Sequence, residues 1–360
     1  MRHKGTKQVT HDNHYVPQFY LKQWSRNGNT VRTYNGIVSN KGVPVWKSTP
    51  IKSTAYQPDL YTVRIDRSDN DEYESYLERK IETPAAEVFR AIDRHTLLTT
   101  QDVNTLVQFL VAQMTRTPSW YQQVAKTTEE IFEDTAKETI REIEKELSEK
   151  GIEALRQGRR AAPRSVGLTG LGDMPLKCSL EQGQSAIRVE TYIGRQPFVA
   201  SSVRALTGQI SQVLHSYNWR IIYLDDEVSL PTSDNPVVIF GRDRFGNTSV
   251  GLDIGLGTKF ADIVMPLSPQ ALLFTEVGRT KDEIDAINFD SNLVLYLREL
   301  IINNAYRYVY SQEDIPEIEN IRPRLVDARR YKEIRDEQER WHREQGELEE
   351  TFPFSCSSAL

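Results

Sequence analysis

The order in which hydrophobic periodicity changes along the chain constrains its fold more than any other feature. From about residue 71 to 150 apolar residues recur at helical spacing. After about residue 185 the apolar runs are short, β-branched or aromatic, and bounded by Gly, Pro or Asp. A helix buries a stripe and a strand buries alternate residues, so the two patterns mark different elements. Tyr73, Leu77, Ile81 and Pro84 outline one helix, and Glu74, Glu78 and Glu82 lie along an adjacent stripe. Val103, Leu106, Val107, Leu110, Val111 and Met114 outline a second, which Arg116-Thr117-Pro118 stops. A third, over 119–150, carries Phe132, Ala136, Ile140, Ile143 and Leu147 opposite a face rich in Glu and Lys. One more helix, marked by Val203, Leu206, Ile210, Val213 and Leu214, precedes strand-like runs at 219–224, 236–240, 261–266 and 271–274. Their connections are too short for repeated helical crossovers, which predicts one mostly antiparallel sheet. The pattern predicts an α+β fold: a helix-rich N-terminal half packed on that sheet, with long C-terminal helices.

The same reading divides the chain. Residues 1–13 are a flexible arm and 14–311 a single domain. That domain has a helical part over 71–150, an Arg/Gly loop over 157–177, a sheet-rich part over 185–278 and a helix over 281–310. Residues 312–360 form a charged helical tail, in which Tyr331, Ile334 and Trp341 dock the segment 324–350 or bind a partner. Apolar residues make up 38% of the chain, enough for a sizeable core. No run approaches the roughly 18 apolar residues of a membrane span, and no apolar stretch follows the basic start as in a secretory signal. Two cysteines, Cys178 and Cys356, cannot build a disulfide framework. The expectation is a cytoplasmic protein with reduced thiols and no membrane partner. The net charge of −6 disfavours broad nucleic-acid binding, although Arg156, Arg160 and Arg164 offer a local basic patch. Walker, nucleophile-elbow and zinc-helix motifs are absent, and Gly251–Gly257 reads as a hairpin loop.

Several residues carry candidate chemistry. His14 stands in the aromatic stretch His14-Tyr15-Val16-Pro17-Gln18-Phe19-Tyr20-Leu21-Lys22-Gln23-Trp24. Its imidazole is suited to proton transfer near neutral pH, or else satisfies a buried backbone group. Asp234 and Asn235 lie in Ser233-Asp234-Asn235-Pro236, where they cap a turn or project into a cleft as metal ligand or base-orienting group. Arg116 is either a helix-terminal cation or a forked anion clamp. Glu78 and Glu82, four apart, either face water or hold Mg²⁺ or Mn²⁺. Arg90 and His95 resemble the Arg-x4-His signature of the HEPN ribonucleases, in which His moves a proton and Arg stabilises phosphorane charge without metal.

The chain also resembles the bacterial domain-of-unknown-function family 4238. The resemblance rests on His14–Leu21, on Gln113 with Arg116-Thr117-Pro118, on Thr232–Pro236, on Pro266–Pro269, and on a helix with Asn303, Asn304 and Arg307. It spans about 11–311. The family often carries two adjacent histidines at the start, whereas position 13 is Asn here. The acidic helix, the Arg/Gly loop and the charged end depart from the family pattern. The resemblance implies a component of antiphage defence, as some members look to be, and assigns no reaction.

Three functions follow. The first is a nuclease-like hydrolase in defence whose cleft gathers His14, Gln18, Arg116, Asp234 and Asn235. His14 would be acid or base, Arg116 the phosphate clamp, and Asp234 the orienter or the ligand of a divalent cation such as Mg²⁺ or Mn²⁺. The second is a non-enzymatic sensor that binds a protein partner, or itself, through 324–350. The third is a metal-independent ribonuclease built on Arg90 and His95.

Overall fold

The structure is a computed structural model that describes residues 9, 11–65, 68–150, 177–180, 187–225, 228–242, 248–251 and 254–351. Along the chain come β1 (Asp12–His14), α1 (Gln18–Leu21), β2 (Thr30–Asn35), β3 (Ile37–Val38), β4 (Trp46–Pro50), β5 (Tyr56–Pro58), β6 (Val63–Ile65) and β7 (Ser68–Asn70). Next, α2 (Glu72–Tyr76) passes through a π-helical turn, Leu77–Glu82, into α3 (Thr83–Asp93), and α4 (Thr100–Thr115) and α5 (Pro118–Lys150) follow. The second half holds β8 (Lys177–Leu180), β9 (Ile187–Glu190), α6 (Arg195–Thr207), α7 (Gln209–His215), β10 (Arg220–Tyr223), β11 (Thr232–Ser233), β12 (Val238–Arg242), β13 (Thr248–Val250), β14 (Asp262–Ser268) and β15 (Ala271–Glu276). It closes with α8 (Lys281–Asp285), α9 (Ser291–Asn304), β16 (Tyr308–Ser311), α10 (Ile318–Ile321), β17 (Leu325–Val326) and α11 (Ala328–Thr351). The fold is α+β, and no described helix is long and apolar enough to cross a membrane.

Strands of the second half form a five-stranded antiparallel sheet in the order β10-β15-β14-β12-β13. Alternation along these strands feeds two cores. Ile239, Ile263, Met265 and Leu273 face the helical half, joining Phe89, Phe109, Leu110 and the aromatic N-terminal segment. Val238, Val264, Leu272 and Phe274 face the other way, onto Ile284, Val294, Leu297 and Ile301 of α8 and α9. The sheet is therefore a middle layer between two sets of helices.

The four runs expected to share one antiparallel sheet do so, as β10, β12, β14 and β15, and the fold adds a second main sheet. β11-β16-β2-β4 form it, also antiparallel, because β2, which also carries β4, pairs with β16 from the far end of the domain. After Gly36 the chain does not fold back along β2. β3 runs parallel to β17 instead. Nor is the 281–310 span one helix. Asp290 accepts the Leu293 N–H at 2.9 Å and starts α9 afresh, and Tyr308–Ser311 is a strand paired with β2. Gly251 lies between β13 and β14, which flank β12 rather than each other, so that glycine-rich connection is no hairpin loop. The Arg/Gly loop lies outside the described residues except for Lys177, which opens β8, and so do Arg156, Arg160 and Arg164.

Candidate functional site

The aromatic N-terminal segment is held at both ends. β1 pairs with β5, setting His14 opposite Tyr56, and the Tyr15 N–H donates to the Ala55 carbonyl at 3.0 Å. Pro17 is extended (φ −61°, ψ 144°) and stands just before α1, its carbonyl accepting the Leu21 N–H at 3.1 Å. The α1 side chains then lock the helical half to the sheet. Phe19 and Tyr20 each pack against Phe89 and Phe109, with ring centroids 5.5 to 5.7 Å apart. The Tyr20 hydroxyl donates to the Pro266 carbonyl (2.6 Å) and lies 2.8 Å from the Thr232 hydroxyl, while Trp24 Nε1 donates to the Leu230 carbonyl at 2.8 Å. Through Tyr20 and Trp24 the N-terminal motif thus bonds to Leu230 and Thr232, which lie just before the Ser233–Pro236 turn.

His14 packs against Tyr56, with ring centroids 5.5 Å apart, and is among the groups that feel the charge of Glu82. The Glu82 charge acts on His14, Tyr61, Glu74 and Arg116 alike. The π-helical turn places it there. In an ordinary helix residues four apart share a face, but the wider i→i+5 turn over Leu77–Glu82 breaks that register. Glu78 consequently faces water while Glu82 turns inward with 22% of its side chain exposed. Glu82 accepts from Arg116 Nη1 at 2.6 Å. Arg116 is fully buried, and hydrogen bonding sets the Gln113 carboxamide oxygen toward it, accepting from Nη2 (2.6 Å) and Nε (2.9 Å). The guanidinium is therefore spent inside the protein and is not an open clamp. Burial works to lower the Arg116 pKa, yet the charges of Glu82, Tyr61 and Glu74 hold it above its usual value.

The same surroundings push an acid and a base to unusual protonation. Burial, then the nearby Glu82 charge, raises the Glu74 carboxyl to about 8. Burial lowers the His14 imidazole, against the Asp12 backbone and charge, the Glu82 charge and the Lys52 backbone. At neutral pH the cluster therefore holds a protonated carboxyl and an uncharged imidazole. His14 Nε2 and Glu74 Oε2 are both buried with no hydrogen-bond partner among the described residues. Orphan polar atoms are costly and uncommon, and here both belong to groups able to carry a proton. Asn13 supports the cluster from behind. Its buried side-chain oxygen accepts the Tyr61 N–H at 2.9 Å, and the Tyr61 hydroxyl donates to the Arg116 carbonyl at 2.6 Å.

Asp234 and Asn235 form a clamp elsewhere. Asp234 is fully buried, and its carboxylate accepts the backbone N–H groups of Tyr306, Arg307 and Tyr308, each at 2.8 Å. Burial raises it to about 6, while those three N–H groups pull it down. Asn235 Nδ2 donates to the Asn304 carbonyl (3.0 Å), and Asn304 Nδ2 returns bonds to the Asn235 (2.8 Å) and Val237 (2.9 Å) carbonyls. Gln18 is exposed at the first position of α1. Arg90 and His95 are both exposed; Arg90 pairs with Glu87 and the His95 ring lies 5.1 Å from that of Tyr223. Among the described residues no group of three or more His, Cys, Asp or Glu is arranged to hold a metal.

Sequence reasoning missed Glu74 as a proton carrier and Glu349 as a buried anion. The signal for Glu74 was its place beside the buried Tyr73–Leu77–Ile81 stripe. Nothing local points to Glu349, whose partner Arg195 is 154 residues away.

A cavity of about 380 Å³ lies between the Tyr306–Tyr308 segment and α11, with Tyr15, Tyr121, Asp234, Arg307, Gln338 and Trp341 in its walls. A family model described as protein of unknown function (DUF4238) matches residues 12–314. No curated protein and no solved structure matches the chain.

Proposed function

The chain belongs to the DUF4238 family, and on that premise we propose that it is a nuclease-like hydrolase working by acid–base chemistry from the Glu82-centred cluster. One observation carries the reading: a single carboxylate, Glu82, acts at once on an uncharged imidazole, a protonated carboxyl and a buried guanidinium. Groups whose surroundings drive their protonation apart are suited to acid and base roles. In this reading His14 takes the proton of an attacking water, whose oxygen bonds to phosphorus. The leaving oxygen departs with its electron pair and receives the proton of Glu74. Arg116 lends positive charge from behind Glu82 and keeps that carboxylate in place. Gln18, exposed four positions from His14, meets the substrate. Asp234 and Asn235 hold the connection between α9 and β16 in place. The setting we propose, defence against phage, rests on the family resemblance.

The test is cleavage of labelled RNA, single-stranded DNA and duplex DNA by the purified full chain, with Mg²⁺, with Mn²⁺ and with chelator. The wild type is expected to cut one of the three. His14→Ala and Glu82→Gln should each lower the rate by about 10²-fold or more while remaining folded. Equal cleavage by folded His14→Ala would overturn the site, and no cleavage of any substrate would overturn the reaction class.

A second reading, a partner-binding protein, is favoured by α11. This helix lies beyond the matched residues and presents Arg, Glu and Lys to solvent along most of its length. It requires that a folded His14→Ala chain keep its biological activity.

A further inference from the structure

We infer that the cavity beneath α11 is a binding site for a mononucleotide, separate from the Glu82 cluster and independent of the hydrolase reading. Its volume, about 380 Å³, falls within the range of small-molecule sites. Its walls supply the three kinds of contact such a molecule needs: a cation for phosphate, aromatic faces for a base, and amides for the edge of that base.

The cation is Arg307. Its guanidinium lies 4.9 Å from the Tyr308 ring centroid and 5.3 Å from that of Tyr331, and its Nε donates to Asn35 Oδ1 at 3.1 Å. No side-chain carboxylate pairs with it among the described residues, and its two terminal nitrogens have no hydrogen-bond partner there. A guanidinium fixed by stacking and one hydrogen bond is ready for bidentate contact with an anion. The other arginines of the wall are engaged. Arg322 donates to the Asn303 (2.6 Å) and Tyr306 (3.1 Å) carbonyls, and Arg330 faces Glu333 (3.4 Å) and Glu337 (3.6 Å). The two acids of the wall are also satisfied, Asp234 by three backbone N–H groups and Glu337 by Arg330, so Arg307 keeps its charge for a ligand.

Tyr15, Tyr121 and Trp341 supply the aromatic surface, with Tyr121 and Trp341 edge to face at 5.2 Å. Trp341 has given its only N–H to the Asp59 carbonyl at 3.2 Å, so what remains of it for a ligand is apolar ring. Gln57 and Gln338 line the cavity with carboxamides that make no hydrogen bond to a described residue. A free carboxamide offers one donor and one acceptor side by side, the pattern that reads a base edge. Simple phosphate would leave the aromatic surface unused, and an apolar ligand would strand the amides and the cation.

Calorimetric titration of the full chain with AMP, GMP, CMP and UMP, each alone, tests the inference, with adenosine and inorganic phosphate as partial probes. At least one mononucleotide should bind saturably, and both partial probes should bind at least about tenfold more weakly. Arg307→Gln should weaken that binding by about tenfold or more with an unchanged melting temperature. Gln338→Leu, on the surface helix, should weaken it too, and supplies the readout if Arg307→Gln fails to fold. Lack of saturation by all four mononucleotides at millimolar concentration would overturn the site. Wild-type affinity in the folded Arg307→Gln or Gln338→Leu chain would overturn the placement.

Discussion

Glu74 and His14 show at the scale of one residue how burial converts ordinary titratable groups into specialised ones. Glu74 has a pKa of about 8 in the fold against an ordinary value of 4.5. Below pH 4.5 both folded and unfolded chains hold this proton. Between 4.5 and 8 the unfolded chain releases it and the folded chain keeps it, so stability falls as pH rises through that window. His14, whose pKa is lowered from 6.5, works the other way, costing stability as pH falls below 6.5. Glu74→Gln should abolish the alkaline loss: measured by thermal denaturation from pH 5 to 9, the variant should gain on the wild type steadily up to about pH 8. Parallel pH profiles for the two proteins would refute the raised carboxyl. Arg116 was legible in the sequence as a cation at a helix end, but whether it would reach outward or inward was not. That depended on Glu82 and Gln113, one of them on a different helix and turned inward by a π-helical turn.

At the scale of an element, α11 joins the domain through groups its sequence pattern does not advertise. The charged segment showed Tyr331, Ile334 and Trp341 as anchors, and all three are half-buried. The tighter anchorage lies beyond them. Glu349 accepts from Arg195 Nε (2.6 Å) and Nη2 (2.7 Å), with both side chains wholly buried, and Gln345 accepts the Arg195 N–H at 2.9 Å. Gly346 lies between them, and a Cβ there would come within 2.8 Å of Arg64 Nη1, so that the arginine would have to move aside. Desolvation makes such a pair worth little against a well-packed apolar pair but costly to break on one side. Glu349→Ala should therefore destabilise the chain by about 3–5 kcal/mol in urea denaturation. The double change Arg195→Met with Glu349→Met should recover much of that loss, and failure of recovery would mean that the pair itself contributes the stability.

The whole molecule is held by contacts between distant parts of the chain. β2 and β4 complete a sheet with β11 and β16, and Tyr20 and Trp24 bond to Thr232, Pro266 and Leu230 across 206 to 246 positions. Asp234 stands at the centre of this closure. Its two oxygens serve three N–H groups, and a carboxamide offers only one acceptor oxygen while turning two donors toward those groups. Asp234→Asn should accordingly cost about 2–4 kcal/mol of stability, more than a surface substitution. Hydrogen exchange should show early loss of protection at Tyr306, Arg307 and Tyr308, and unchanged protection there would refute the clamp. Non-local pairing of this kind also predicts folding slower than that of a helical bundle of equal length.

Fold class, the main helices of the first half and the four central strands were readable from residue order, because periodicity is a property of neighbours and survives without knowledge of the rest of the chain. The pairing of β2 and β4 with β16 and β11, the inward turn of Glu82 and the burial of Arg195 with Glu349 were not. Each depends on partners brought from elsewhere in the chain as the layers close, and residue order does not say which distant groups will meet.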